Sequence, residues 1–340
     1  ETGQDTMQPV VIFYTNCQGQ GLIKLLAGHP AFVDHELVFL TAWQHVRPSA
    51  EQIARCQVLI YQNSFGTPDF LDELPAEATR IVIPLITCAF LWPFTFDRPN
   101  EPVGWRFPYG DRQLIARMKG DVAPEAAATE YYAQDFGRQM NLNRLLDLEF
   151  QKWEKYDKES DVRLGAFLKD RIFSHRLFFT PDHPTDVVMI ELANQLLDKL
   201  ELPRLDIAER PEHQNALAGT EVPVHPSIIR HFAIPYLAAN HPYPLWGGSK
   251  ALDTLGFYTS YCRALGAPSM DEALREAVTA IYNHDEASAM NICTLIGLRY
   301  PQHPGAMIVL ALISALNGQR EMACQLFINA LPASEESSQA

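Results

Sequence analysis

Apolar positions in the first eighty residues come in short solid blocks, separated by stretches that are apolar only at every third or fourth position. Val10-Val11-Ile12-Phe13-Tyr14, Glu36 to Leu40, Val58-Leu59-Ile60-Tyr61 and Arg80-Ile81-Val82-Ile83 are rich in β-branched and aromatic side chains, as strands buried on both faces are. Between them, Gly21-Leu22-Ile23-Lys24-Leu25-Leu26 and Ala50 to Arg55 carry helical spacing. The alternation predicts βαβα units, hence a parallel sheet with right-handed crossovers. Beyond Phe90 the pattern changes. An irregular, Pro- and aromatic-rich segment to Tyr109 precedes a helical region expected from Asp111 to Lys169. A further strand is expected over Arg176-Leu177-Phe178-Phe179-Thr180, then a helix from Thr185 to Leu200.

Residues 201–250 carry many Pro and His, and the chain beyond Ala251 is patterned as helices throughout. Sliding the chain by 34 residues places Ala277 on Ala311, Asn283 on Asn317, Ala289 on Ala323, Cys293 on Phe327 and Ile296 on Ala330. That period, with Pro301 where a second helix should end, resembles the tetratricopeptide repeat. The expected organisation is an α/β catalytic domain over 8–205, a covering segment over 206–265, a tetratricopeptide-like region over 266–332 and a disordered tail over 333–340. Glu1-Thr2-Gly3 is read as a vector remnant outside the fold.

Composition narrows the function classes. The 340 residues are 47% hydrophobic and 20% charged, which describes a folded globular chain long enough for two cores. Lys plus Arg number 27 against 41 Asp plus Glu, a net charge of -14, which opposes non-specific binding to nucleic acid or anionic lipid. Any anionic ligand must be held by local cations. Six cysteines lie at least 31 residues apart without CxxC spacing, so neither a disulfide framework nor a cysteine metal site is expected. Histidines His29, His35, His45, His225, His231 and His241 show no metal spacing either. No apolar run is long enough to span a membrane, and ETGQDTMQ lacks the layout of a signal peptide; the chain is read as reduced and cytoplasmic.

Candidate chemistry gathers where strands end. Thr15-Asn16-Cys17-Gln18-Gly19-Gln20-Gly21 forms the turn between the first strand and first helix. There the free N–H groups of a helix start favour an anion, and a thiol at that end is favoured as its thiolate. Cys17 is thus a candidate nucleophile, or a small core residue. Gly19-x-Gly21 suggests a dinucleotide fingerprint, but Lys24 stands at the third glycine position and Leu40-Thr41-Ala42 offers no acid at the end of the second strand. Gln62, in Tyr61-Gln62-Asn63-Ser64, leaves the third strand on the same sheet edge as a candidate donor to an oxyanion. In Thr180-Pro181-Asp182-His183-Pro184-Thr185, His183 is a candidate general base and Asp182 its orienting partner or a helix cap. Trp92, Phe94, Phe96, Trp105, Phe107 and Tyr109 suit either a core lid or a pocket wall.

Taken together, the strand–Asn16-Cys17-Gln18–helix opening, the strand ending in Gln62, the Arg80 to Pro84 strand leading into an aromatic loop, and His183-Pro184-Thr185 resemble the WcbI family of capsule-polysaccharide acetyltransferases. The usual Gly-Asn-Cys-Gln opening has Thr15 in place of glycine. The resemblance covers roughly residues 9–265. It implies a three-layer α/β/α fold similar to the SGNH hydrolases, with Cys17 where those enzymes place serine, and a coenzyme A-binding enzyme that moves an acetyl group from acetyl-CoA to a sugar hydroxyl. Cys17, Gln18, Gln62 and His183 are then the active-site candidates, an oxyanion is held near Gln18 and Gly19, and Asn16, Gln18, Gly19, Lys24, Arg171 and Arg176 are candidates for holding coenzyme A. Two routes fit: covalent transfer through Cys17, or direct transfer with His183 as base. Competing readings are a thiol-dependent esterase on the same fold and a non-catalytic helical-repeat protein. A protein partner, or a second copy, is expected at the C-terminal helices.

Overall fold

The computed structural model describes residues 8–97, 107–119, 122–206, 214–219, 221–237, 241–245, 251–265, 269–299 and 303–330. The expectations for Glu1 to Gly3, Trp105, Pro301 and the tail fall outside these residues. Two compact units result, one built from the chain up to Pro93 together with Asp135–Ala238, the other from Phe94–Gln134 together with Ala239–Ala340. Among the described residues no helix is long and apolar enough to cross a membrane.

The first unit carries β1 (Val10–Thr15), α1 (Gln18–Leu26), β2 (Glu36–Thr41), α2 (Ala50–Ala54), β3 (Cys56–Gln62) and β4 (Thr79–Ile83). The strands pair in parallel in the order β2-β1-β3-β4. All six residues of β1 are buried, which makes it a central strand. Val11 and Phe13 enter a large core with Leu22 and Leu25 of α1, whereas Val10, Ile12 and Tyr14 enter another with Ile53 of α2, Phe70 and Leu74. Each such buried side chain contributes about 1.5–3 kcal/mol, so the solid apolar run alone commits β1 to a site covered on both faces.

Close approach of α1 to the sheet requires glycine. A Cβ on Gly19 would stand 2.1 Å from Thr15 Oγ1 and 3.0 Å from the Phe39 ring; one on Gly21 would stand 3.0 Å from Met189. The Gly19-x-Gly21 pair is thus explained by packing.

The helical region expected over 111–169 is divided. In chain order come β5 (Thr95–Asp97), β6 (Tyr109–Asp111), α3 (Arg112–Arg117), α4 (Pro124–Tyr132), α5 (Phe136–Gln139), α6 (Leu142–Lys158) and α7 (Gly165–Arg171). The breaks have local causes: Pro124 opens α4, where its missing N–H costs nothing, and the Asn141 side chain accepts from Arg144 N to cap α6. After α7 follow α8 (Asp186–Lys199), α9 (Pro226–Phe232), β7 (Tyr243–Pro244), β8 (Ala251–Leu252) and α10 (Thr254–Leu265).

The strand expected over Arg176–Thr180 does not join the sheet. Residues 177–185 fold back on themselves instead: Phe179 N donates to His183 O at 2.9 Å, Thr185 N donates to Leu177 O at 2.8 Å, and Phe178 faces Pro184. Pro181 and Pro184 lack the N–H groups a sheet strand would use, and Thr180 Oγ1 satisfies the turn by accepting from His183 N at 3.0 Å.

In the second unit, β5 and β6 form an antiparallel hairpin and α10 packs on α4 through Tyr258 and Tyr131, whose rings meet edge to face at 4.9 Å. The C-terminal helices are α11 (Ser269–Tyr282), α12 (Glu286–Arg299), α13 (Pro304–Leu316) and α14 (Arg320–Ala330). Of the residues superposed by the 34-residue shift, Ala277, Ala289, Cys293, Ile296, Ala311, Ala323 and Ala330 are buried. Phe327, the counterpart of Cys293, is instead 40% exposed; α14 is the last described helix, and no further one among the described residues covers that position.

Candidate active site

Sheet order reverses between β1 and β3, because the chain steps from β1 outward to β2 and then returns to the other side of β1. In an open α/β sheet the crevice for a ligand lies outside the carboxyl ends of the strands at such a point. The residues found there are Asn16, Cys17 and Gln18 after β1, and Gln62 at the end of β3.

Cys17 caps α1 with helical backbone angles (φ -52°, ψ -18°) and makes no side-chain cap hydrogen bond. It is partly exposed, whereas Cys56, Cys88, Cys262 and Cys293 are buried. Burial pushes the Cys56 thiol up to about 11 and the Cys88 thiol well above its ordinary value, which keeps both as inert neutral thiols. Asn16 organises the turn around Cys17. Its Oδ1 accepts from Gln18 N at 3.1 Å, and its carbonyl accepts from Gly19 N at 3.0 Å. Both of these N–H groups thus donate to Asn16.

Gln18 and Gln62 are fully buried and bonded to one another. Gln62 Nε2 donates to Gln18 Oε1 at 2.8 Å and to Pro84 O at 3.4 Å, while Gln62 Oε1 accepts from Asn16 N at 2.8 Å. Gln18 Nε2 donates to Ile86 O at 2.6 Å and to Asp182 O at 3.1 Å. A primary amide has two N–H donors, so both side chains spend them inside the protein. The structure thus makes Gln18 and Gln62 a staple joining the turn after β1, the end of β3, the segment after β4 and the turn that carries His183.

That staple decides where His183 lies. The Gln18–Asp182 bond joins the neighbour of Cys17 to the neighbour of His183, bringing two turns separated by more than 160 residues to one sheet edge. Asp182 and His183 are both partly exposed. Asp182 Oδ1 accepts from Thr180 Oγ1 at 3.0 Å, so this carboxylate braces the turn.

The expected cations separate. Arg176 is buried and ion-paired with Glu221 at 2.6 Å, with its guanidinium 5.0 Å from the Phe179 ring. Lys24 is exposed in the last turn of α1 and donates to Ala216 O at 2.8 Å, and Arg171 lies partly exposed over the Phe167 ring at 4.6 Å.

Sequence reasoning missed the support for the segment after β4. Glu149 of α6 is buried, pairs with Lys152 and accepts from Ala89 N at 3.0 Å. Trp153 Nε1 donates to Thr87 O at 2.8 Å, and Cys88 N donates to Pro181 O at 2.7 Å. The available signal was Glu149, Lys152 and Trp153 at i, i+3 and i+4, which share one face of a helix.

A family model described as polysaccharide biosynthesis enzyme WcbI matches residues 10–205. Among solved structures, one of WcbI, called a novel polysaccharide biosynthesis enzyme and present as the native protein without a disulfide bond between coenzyme A and a cysteine, aligns at 15% identity. The alignment covers 96% of this chain and 100% of that one with a TM-score of 0.60, a likeness of fold. No curated protein matches in a sequence comparison. The family match takes in more than half of the chain, including the whole parallel sheet and the turns bearing Cys17, Gln62 and His183, so the chain belongs to the WcbI family of polysaccharide biosynthesis enzymes.

Proposed function

We propose that the protein is an acetyl-CoA-dependent O-acetyltransferase acting on a sugar hydroxyl in capsular polysaccharide assembly, on an SGNH-hydrolase-like domain, with Cys17 and His183 as the reacting groups. The observation that carries this reading is the partly exposed thiol of Cys17 at the start of α1, at the switch point of the sheet, with the His183 turn hydrogen-bonded to its neighbour. The coenzyme A named with the WcbI structure supports the donor, and the family supports a sugar as acceptor.

In this mechanism the Cys17 thiolate, favoured by the helix start, attacks the thioester carbonyl of acetyl-CoA. A new acyl–sulfur bond forms, the bond to the coenzyme breaks, and coenzyme A leaves as a thiolate that takes up a proton. A sugar hydroxyl then attacks acetyl-Cys17 while His183 accepts the hydroxyl proton, and the Cys17 thiolate is released. Gln18 and Gln62 hold the two turns in place, and Asp182 braces the turn of His183. Lys24 and Arg171 are the cations offered to the coenzyme phosphates.

The test is incubation with acetyl-CoA followed by mass spectrometry of the Cys17 peptide. The expected result is one added acetyl group on that peptide, absent in Cys17→Ala. His183→Asn should still acquire the acetyl group yet pass it to a sugar about 10²- to 10⁴-fold more slowly. Full turnover by Cys17→Ala would reject the covalent route, and release of acetate with no dependence on sugar would establish an esterase.

A further inference from the structure

The carboxyl edge holds a second feature that the acetyl chemistry does not use. β1 and β2 are paired in register up to Thr15 and Thr41, so the turns that follow leave the sheet side by side. One leads into Cys17. The other is a single 3-10 turn, Ala42–Gln44, that presents Trp43 with 47% of its surface exposed. Among the described residues of the first unit, Trp43 is the exposed aromatic side chain; Trp92 and Trp153 are buried, with their indole N–H groups on Val222 O and Thr87 O.

This turn is held firmly from beneath. Ala42 is fully buried and its carbonyl accepts from Tyr14 O–H at 3.3 Å and from His45 N at 3.1 Å. His45 closes the turn in the left-handed region (φ 52°), a conformation that non-glycine residues adopt seldom and that recurs at ligand sites. On this anchored turn the half-exposed indole offers a flat, electron-rich face. The matching ligand surface is the C–H face of a pyranose ring, which is apolar and carries partial positive charge on its hydrogens.

We propose that Trp43 is the platform of the acceptor subsite, on which the sugar ring stacks beside the Cys17 turn. The proposal rests on the reading of the enzyme as acting on a sugar. It is tested on the full chain with methyl β-glucopyranoside, methyl β-galactopyranoside and N-acetylglucosamine as probes in saturation-transfer NMR, and with coenzyme A in calorimetry. The expected result is transfer to the ring C–H protons of at least one glycoside, reduced at least about fivefold in Trp43→Ala and partly retained in Trp43→Phe, because stacking and apolar contact depend on the ring. Coenzyme A affinity should change less than about twofold, since a separate subsite adds independently. Three results would overturn the proposal: no glycoside signal from the parent protein, a signal unaltered by Trp43→Ala, or a loss of coenzyme A affinity in its place, which would assign the indole to the adenine. Failure of coenzyme A to bind the parent protein would refute the donor reading alone and leave the glycoside result standing.

Discussion

At the scale of single residues, the feature with the largest predicted effect is Gln62, an uncharged side chain. Replacing it with leucine keeps a side chain of similar size but strips Asn16 N of its acceptor and leaves Gln18 Oε1 with only the longer bond from Ile86 N at 3.4 Å. A buried polar group stripped of its partner costs about 1–3 kcal/mol, so Gln62→Leu should lower stability by about 2–4 kcal/mol in urea unfolding. Transfer activity should fall as well, because the same bonds align the turns of Cys17 and His183. A variant as stable as the parent would show that the staple contributes nothing. In the sequence Gln62 stands out because it ends a strand beside Asn63 and Ser64. That its amide points inward, toward another glutamine 44 positions away, depends on the register of β1 against β3 and is not written in either segment.

At the scale of elements, the hairpin of β5 and β6 is joined to three helices through Asp111. Its Oδ1 accepts from Gln113 N and Leu114 N to cap α3, its Oδ2 accepts from Tyr131 O–H of α4 at 2.8 Å, and its N–H donates to Tyr261 of α10 at 2.7 Å. Burial raises the Asp111 carboxyl above the ordinary range, against the hydrogen bonds that lower it. The sign follows from linkage: the folded state keeps this proton to higher pH than the unfolded chain, so the contribution is full below the unfolded value and declines as pH rises from about 4 through the folded titration. Asp111→Asn should remove that decline while preserving an acceptor at the cap. Melting temperatures of both proteins from about pH 4 to pH 7 check it, and parallel curves would contradict it. In the sequence Asp111 is only the start of a helical region, since nothing in a linear pattern reports that it will meet the hydroxyls of Tyr131, 20 residues on, and Tyr261, 150 residues on.

At the scale of the whole molecule, the core formed by Ala273, Ala277, Ala289, Ile292, Cys293, Ile296, Ala306, Val309 and Ile313 is drawn from α11, α12 and α13. The partners of α10 lie elsewhere, on α3 and α4 and around Asp111. Removal of residues 269–340 should therefore leave a soluble protein that melts cooperatively and retains coenzyme A binding, as a docking module for a partner or second copy would allow. Aggregation of the shortened chain would show that these helices cover apolar surface elsewhere and act as a buttress. The acidic side chains from 269 to 331 outnumber the basic ones, so a partner of this module is expected to be neutral or basic.

By itself the sequence determined the four parallel strands, the helical C-terminal region and the place of Cys17, because each depends on a short-range pattern. A solid run of β-branched residues can satisfy its backbone and side chains only inside a sheet, and a strand-turn-helix opening puts the residue after its Asn at a helix start. The tertiary structure decided the rest. It turned Arg176–Thr180 back on itself, since two prolines and a threonine hydroxyl made a closed turn cheaper than a sheet edge. It split the region over 111–169 and gathered 94–134 with the C-terminal residues. It also spent Gln18, Gln62 and Arg176 within the protein, while the turn after β2 left Trp43 in the open. Those outcomes rest on which distant groups arrive within hydrogen-bond reach, and a buried amide or guanidinium takes the nearest partner that offsets its lost water.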